Sequence, residues 1–142
     1  MPAPIRKRRR HLEDDHQAAL FEWAAIARFT APPRADKPFI GEWMFAIPNG
    51  GKRDPIEGAR LKLQGVKAGV SDVMLPIPRK GYAGMWLELK TPATNAAAKG
   101  DTSPAQREWR DMMLAAGYLA VIVYGWDEAK RHIEQYLSAG QA

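Results

Sequence analysis

The stretch GMWLELK at residues 84–90 decides the fold prediction, because its side chains alternate between the two faces of a strand. Positions 85, 87 and 89 are apolar, whereas the opposite face carries Glu88 and Lys90. Charged groups on a largely apolar strand are costly to bury, and they are tolerated where a cleft or a metal ion lies beside them. The stretch therefore predicts a strand that carries ionisable groups at a functional position.

A second apolar strand is predicted over residues 70–77, and it contains Asp72 as a lone charge. A turn at residues 79–81 would fold the two strands into a hairpin and bring Asp72 near Glu88 and Lys90. The two carboxylates and the backbone carbonyl of Leu89 form an all-oxygen site suited to Mg²⁺ or Mn²⁺. An ion pair between Lys90 and either acid on an exposed strand face explains the same residues, so the spacing alone leaves both interpretations open.

The remaining pattern predicts helices on both sides of a mixed sheet, which is an α/β fold of three layers. Ser103 and Gln106 form an S-x-x-Q capping box at the start of one helix. The continuous apolar run at residues 118–124 predicts a central strand that is covered on both faces. The predicted helices span 12–28, 54–64, 103–117 and 126–137, and the predicted strands span 43–47, 70–77, 84–90 and 118–124.

Composition excludes several classes of protein. A chain of 142 residues suits one domain, and the absence of cysteine excludes disulfide scaffolds, thiolate metal sites and cysteine nucleophiles. The three histidines do not form an HExxH motif, and no apolar run approaches the ~20 residues that span a bilayer. The basic N-terminus has no apolar stretch behind it, so we expect neither a secretory signal nor a membrane span, and a cytoplasmic location.

The net charge of +5 is concentrated in two regions, and this favours a polyanionic partner such as nucleic acid. Residues 1–11 form a basic tail that we expect to be disordered, and residues 52–110 carry 11 basic and 6 acidic side chains. A solubilising tail and chance clustering would give the same distribution. The candidate phosphate contacts in the second region are Lys62, Lys67, Arg79, Lys80 and Lys99.

Five short motifs, taken in order, resemble the VRR-NUC family of the PD-(D/E)xK nuclease superfamily, in the small stand-alone form found in bacteriophages and prophages. The motifs are IPNGG at 47–51, GVKAGVSD at 65–72, GMWLELK at 84–90, SPAQ at 103–106 with Trp109, and Gly117-Tyr118 before an apolar strand. The resemblance covers residues 12–137 and leaves 138–142 as a disordered tail. It implies a restriction-endonuclease-like three-layer fold.

The resemblance also implies a catalytic set. Asp72 matches the first metal-binding acid of the family, although Ser71 stands where the superfamily name has proline. Glu88 and Lys90 match the acid and the lysine of (D/E)xK.

Two further residues are implied to belong to the site. Glu13 matches a helical glutamate that completes the metal site, with Asp14 and Asp15 as alternatives. Gln106 matches a glutamine that follows a mobile loop in the family, and its simpler role is in the capping box.

The activity implied by the resemblance is a Mg²⁺- or Mn²⁺-dependent DNA endonuclease acting on branched DNA, such as a four-way (Holliday) junction. Two symmetric cuts need two active sites, so a homodimer is expected. The alternatives are a non-catalytic DNA-binding module with the nuclease fold, or a nuclease of flaps or of RNA. If the chain is encoded by a phage, we expect it in the host cytoplasm.

Overall fold

The computed structural model of the chain describes residues 5–30, 37–48, 54–92 and 102–138, with side chains from residue 14 onward. In these ranges the chain forms four α-helices, four strands and one short 3-10 helix. The helices are α1 (Ile5–Ala24), α2 (Pro55–Leu63), α3 (Pro104–Ala115) and α4 (Trp126–Ser138); the strands are β1 (Phe45–Ala46), β2 (Val73–Leu75), β3 (Met85–Lys90) and β4 (Leu119–Tyr124), and the 3-10 helix is Ile40–Glu42.

The four strands form one mixed sheet in the order β1-β2-β3-β4. The strands β2 and β3 pair as an antiparallel hairpin, as the sequence predicts, and Val73 lies opposite Leu87 in the observed register. The strand β4 then pairs parallel to β3, with Val123 beside Leu89. The parallel connection runs through α3, which is the crossover that two parallel neighbours require.

Helices cover both faces of the sheet and confirm the predicted three-layer α/β fold. On one face, the apolar side of β3 packs into a core with α1 and α4, which contribute Leu20, Ala24 and Ile133. On the other face, Trp86 meets Trp109 of α3 edge to face, with ring centroids 5.3 Å apart. The alternation of the GMWLELK stretch therefore separates an apolar core from a face on which Glu88 and Lys90 lie under α3.

The strand β4 is the one element whose place in the sheet differs from the prediction. It is covered on both faces, by α3 and α4, but within the described sheet it lies at the edge and not at the centre. An apolar run reports that both faces are buried, and it carries no information on how many strands pair with it. The prediction of a central strand was wrong for this reason.

The first helix begins earlier than the sequence predicts. Residues 5–11 belong to α1, although residues 1–11 were expected to be a disordered tail. This segment is rich in arginine, a good helix former, and it contains neither proline nor glycine. Residues 1–4, and residues 139–142 of the expected C-terminal tail, lie outside the described ranges. In the part of the chain that the structure describes, no helix combines the length and apolarity that crossing a membrane requires.

Capping interactions mark the starts of α2 and α3. The side chain of Asp54 accepts a hydrogen bond from the backbone N–H of Glu57, at 2.8 Å, and Pro55 takes the first position of α2. The predicted capping box of α3 is complete: the Ser103 hydroxyl accepts the Gln106 N–H, and the Gln106 side chain accepts the Ser103 N–H. Short-range chemistry therefore sets both helix starts.

A close contact joins the loop after α2 to the first turn of α3. Gly69 has a positive φ of 87°. A Cβ atom at this position would lie 2.5 Å from the carbonyl carbon and oxygen of Ala105. Because Ala105 precedes Gln106, the backbone approach at Gly69 determines where the N-terminal turn of α3 sits relative to this loop.

Replacing Gly69 by alanine should destabilise the protein more than the same change at Gly65. Gly65 also has a positive φ, 98°, but a Cβ there would meet nothing within 4 Å. Gly65→Ala should therefore lower the free energy of unfolding only by the cost of holding a residue with a Cβ at positive φ, roughly 1–2 kcal/mol. Gly69→Ala adds the collision with Ala105, and overpacking of this kind typically costs a further ~1–3 kcal/mol. Urea unfolding of both variants measures the difference, and equal losses would contradict the contact.

Candidate active site

Asp72 lies just before β2, at the point where the β2–β3 hairpin stops pairing. Its Oδ2 accepts a hydrogen bond from the backbone N–H of Leu89, at 2.8 Å. Its own backbone carbonyl accepts the N–H of Ile47, at 2.8 Å, which joins it to the end of β1. The Asp72 side chain thus takes the place of a missing strand neighbour and is held beside the end of β3.

The carbonyl of Leu89 points to the same side of β3 as Asp72. The N–H and C=O of one strand residue face the same neighbour, and the Leu89 N–H faces Asp72. The next carbonyl, that of Lys90, points the other way and accepts the N–H of Gly125 at 2.8 Å. The backbone oxygen that the sequence interpretation proposed as a ligand is therefore turned toward the carboxylate.

Burial raises the pKa of Asp72 above its ordinary value of 3.8. The N–H of Leu89, the positive charge of Lys90 and a hydrogen bond with the Glu88 side chain each act to lower the pKa, but burial outweighs them. Asp72 and Glu88 are therefore close enough for their carboxyl groups to interact. A site of this kind is electrostatically costly for the folded chain until a cation or a proton balances it.

Glu88 is buried, with 7% of its surface exposed, on the face of β3 that α3 covers. Its Oε1 accepts a hydrogen bond from Nε2 of Gln106, at 2.7 Å, and lies 3.6 Å from Nζ of Lys90. Charge-assisted contacts of this kind offset much of the cost of burying a carboxylate. The strand face therefore carries an organised polar group and not a chance surface charge.

Lys90 completes the group. Its Nζ donates to Oε1 of Gln106, at 3.2 Å, and 15% of its side chain remains exposed. An ammonium has three N–H donors, so it can contact Gln106 and Glu88 and still present a donor to a water molecule or a phosphate oxygen.

Gln106 closes the capping box and also lies in the candidate site, so its position fits both of the roles that the sequence left open. Its Oε1 accepts the backbone N–H of Ser103, at 3.0 Å, so it closes the capping box of α3. The same side chain contacts Glu88 and Lys90. One amide group therefore connects the start of a helix to two ionisable groups of β3.

The described donors fit a divalent cation of the magnesium type. Within the described ranges, no group of three or more His, Cys, Asp or Glu side chains gathers at one place. Mg²⁺ commonly binds through one or two carboxylates and takes its other oxygens from water and substrate phosphate. Asp72, Glu88 and the Leu89 carbonyl match that set. Glu13 lies within α1, but its side chain falls outside the described part of the chain.

The predicted DNA contacts have different outcomes. Lys67 and Lys80 are exposed, and Lys99 lies outside the described residues. Arg79 is 2% exposed, and its guanidinium donates to the backbone carbonyls of Thr30 and Pro78. The prediction that Arg79 contacts DNA is therefore wrong: this side chain ties two loops together inside the protein.

Sequence reasoning missed the contact between Gly69 and Ala105. Gly65 and Gly69 bracket Val66-Lys67-Ala68, and this pattern is compatible either with a phosphate-binding loop or with a tight entry into the next strand. A glycine three residues before a site acid is a recognisable signal of a close backbone approach. The identity of its partner, the first turn of α3, was not contained in that signal.

The geometry defines an α/β protein with an Asp-Glu-Lys-Gln group at the end of a β-hairpin, and its fold is similar to that of a solved structure. A "VRR_NUC domain protein" superposes with a TM-score of 0.74 and 27% sequence identity, over 92% of this chain and 91% of that chain. No family model and no curated protein matches the sequence. This chain is therefore similar in fold to a VRR_NUC domain protein, and the predicted α/β fold with helices flanking a mixed sheet is confirmed.

Asp72→Asn should stabilise the metal-free protein relative to wild type, and the gain should grow as the pH rises above 3.8. Because the folded protein holds the Asp72 proton more tightly than the unfolded chain, the stability from this group is complete below pH 3.8. That stability is lost as the pH rises through the raised pKa, whereas an asparagine does not titrate. Urea unfolding in EDTA at pH 4, 5.5 and 7 measures the difference, and a difference independent of pH would contradict this account.

Proposed function

We propose that this protein is a metal-dependent DNA endonuclease that hydrolyses phosphodiester bonds of branched DNA, with four-way (Holliday) junctions as the preferred substrate. The observation that carries the proposal is the group formed by Asp72, Glu88, Lys90 and Gln106 at the end of the hairpin, in a fold shared with a VRR_NUC domain protein.

Asp72, Glu88 and the carbonyl of Leu89 would hold a Mg²⁺ or Mn²⁺ ion. When bound, the cation would supply charge stabilisation for the scissile phosphate as negative charge builds up on it. The hydrogen bond from Leu89 N–H keeps the Asp72 carboxylate oriented before any cation arrives. Gln106 does the same for Glu88.

Lys90 has the position and the donors to orient the attacking water. Its ammonium is anchored by Gln106 and Glu88, so it enters the reaction already positioned. A fixed positive charge beside the water favours its deprotonated form, and the same charge attracts the phosphate.

A non-catalytic DNA-binding module with the same fold is the second candidate. Binding alone does not require two carboxyl groups and a lysine to be gathered on a strand face that α3 covers. Carboxylates repel the DNA backbone, so a module selected only for binding gains nothing from them. The group therefore favours catalysis.

Single substitutions in the group should abolish most cleavage while the fold is retained. Lys90→Ala should lower kcat by roughly 10²–10³-fold, the loss typical of removing one charge-stabilising donor. Glu88→Gln should have at least a comparable effect, since it weakens both cation binding and the contact with Lys90. Lys130→Ala removes a half-exposed lysine of α4 and serves as the control for loss of charge.

The assay incubates each protein with linear duplex, flap, splayed-arm and four-way junction DNA, and with RNA, in Mg²⁺, Mn²⁺ or EDTA. Cleavage of the junction in metal but not in EDTA is the expected pattern. Cutting at the wild-type rate by Glu88→Gln would refute the site. A preference for flaps or RNA would support the proposed metal-dependent hydrolysis but show that the preferred substrate is not the four-way junction.

Cleavage of both strands of a junction further predicts a homodimer with one active site in each subunit. Light scattering at micromolar concentration should report about twice the chain mass of 15.8 kDa. Phe45 of β1 is an exposed apolar side chain that such an interface could use, whereas Met44 and Tyr136 are buried in the core. A monomer that cuts both strands in one binding event would exclude the dimer, and a monomer that cuts one strand would indicate a nicking enzyme.

A further inference from the structure

A concave surface lies at the C-terminal end of α2, outside the proposed catalytic group formed by Asp72, Glu88, Lys90 and Gln106. It has a volume of about 690 Å³. Among the described residues that line it, the charged ones are Lys62 and Lys67, both exposed, and none is a carboxylate. The described lining is Gly58, Leu61, Lys62, Gly65, Val66, Lys67, Ala68 and Gly69. A concavity with this charge is complementary to a polyanion.

The backbone of this concavity is accessible to a ligand. Gly58 and Gly65 lack side chains, and a Cβ at either position would meet nothing within 4 Å. Within the described part of the chain, the N–H groups of Lys67, Ala68 and Gly69 donate to no backbone carbonyl. Successive unpaired N–H groups in a turn form a site that suits phosphate oxygens.

The helix α2 contributes little to the core. None of its residues is buried, and Leu63 is 90% exposed. The concavity is therefore not a by-product of tight packing between α2 and the sheet.

The concavity is connected to the catalytic group on two sides. Gly69 touches the backbone of Ala105, the residue before Gln106. In the other direction, Gly69 lies three residues before Asp72, a distance of at most ~11 Å along an extended chain. Because one DNA strand rises ~3.4 Å per nucleotide, that length corresponds to about three nucleotides or fewer.

We propose that this concavity binds the sugar–phosphate backbone of the strand being cut, within about three nucleotides of the scissile phosphate. Lys62, Lys67 and the N–H groups of residues 67–69 contact phosphate oxygens, and the apolar side chains of Leu61 and Val66 lie against the sugars. The inference rests on the proposed function, because it assigns DNA as the ligand. The contact at Gly69 holds this binding surface in register with the catalytic group.

The first test measures DNA binding without cleavage, by fluorescence anisotropy of a labelled four-way junction and a labelled duplex in EDTA across a range of salt concentrations. The double variant Lys62→Ala/Lys67→Ala should bind more weakly than wild type. On the duplex, the slope of the logarithm of the binding constant against the logarithm of the salt concentration should become shallower by about 1.8, since each lost phosphate contact removes about 0.9. The control is Lys37→Ala/Arg131→Ala, which removes the same charge from exposed positions elsewhere. Equal losses in both double variants would show a non-specific charge effect and overturn the proposal.

The second test locates the contact on the DNA. Neutral methylphosphonate linkages replace single phosphates from one to five nucleotides on either side of the mapped cut. Wild type should lose affinity at one or two positions within about three nucleotides of the cut. The lysine double variant should lose less affinity at those positions, because it already lacks the lysine contacts to these phosphates. If the effects of the methylphosphonate linkage and of the lysine substitutions on affinity are additive at every position, the assignment is contradicted.

Cleavage distinguishes failure of this inference from failure of the proposed function. At saturating DNA the lysine double variant should retain its kcat, with the loss confined to KM. A wild-type protein that binds DNA with the expected lysine dependence but never cleaves would overturn the nuclease and leave the binding surface intact. If the wild-type protein cleaves DNA but the double variant has the same salt slope as wild type, the proposed binding surface is overturned and the proposed nuclease activity stands.

Discussion

The candidate site depends on the hydrogen bonds made by the side-chain amide of Gln106. Its oxygen closes the N-terminal cap of α3 and accepts from Lys90, while its nitrogen donates to the buried carboxylate of Glu88. A buried acid and a partly buried ammonium on one strand face are unfavourable unless their hydrogen-bonding groups are satisfied. Because one amide serves both groups and the helix, the geometry of α3 and that of the ionisable residues of β3 cannot vary independently.

The loop after α2 extends this coupling across the surface. Gly69 allows the chain to approach the first turn of α3 more closely than any residue with a Cβ could. The loop is therefore positioned against the same helical turn that contains Gln106, and Asp72 follows Gly69 by three residues. A strand of DNA bound along α2, as proposed, would be positioned by the same turn that positions the proposed catalytic residues. Binding and cleavage would then depend on one contact.

The basic residues show how little charge alone says about function. Arg79 and Lys80 are neighbours in sequence, yet the first is buried with its guanidinium on backbone carbonyls and the second is exposed. A guanidinium can satisfy carbonyl groups inside a protein as well as phosphate oxygens outside it. Which of these occurs depends on whether distant segments, here the loop around Thr30, fold over the side chain.

Much of this protein was determined locally and could be predicted from the sequence. The alternation at residues 84–90 assigned the two faces of β3, Ser103 with Gln106 set the start of α3, and Asp54 with Pro55 set the start of α2. These features depend on neighbours within four residues, so a single sequence contains the information. The tertiary structure alone decided that β4 lies at the edge of the described sheet, that Arg79 is buried, and that Gly69 meets Ala105. Each of these outcomes is a contact between residues far apart in the chain, and the pattern around either partner does not identify the other.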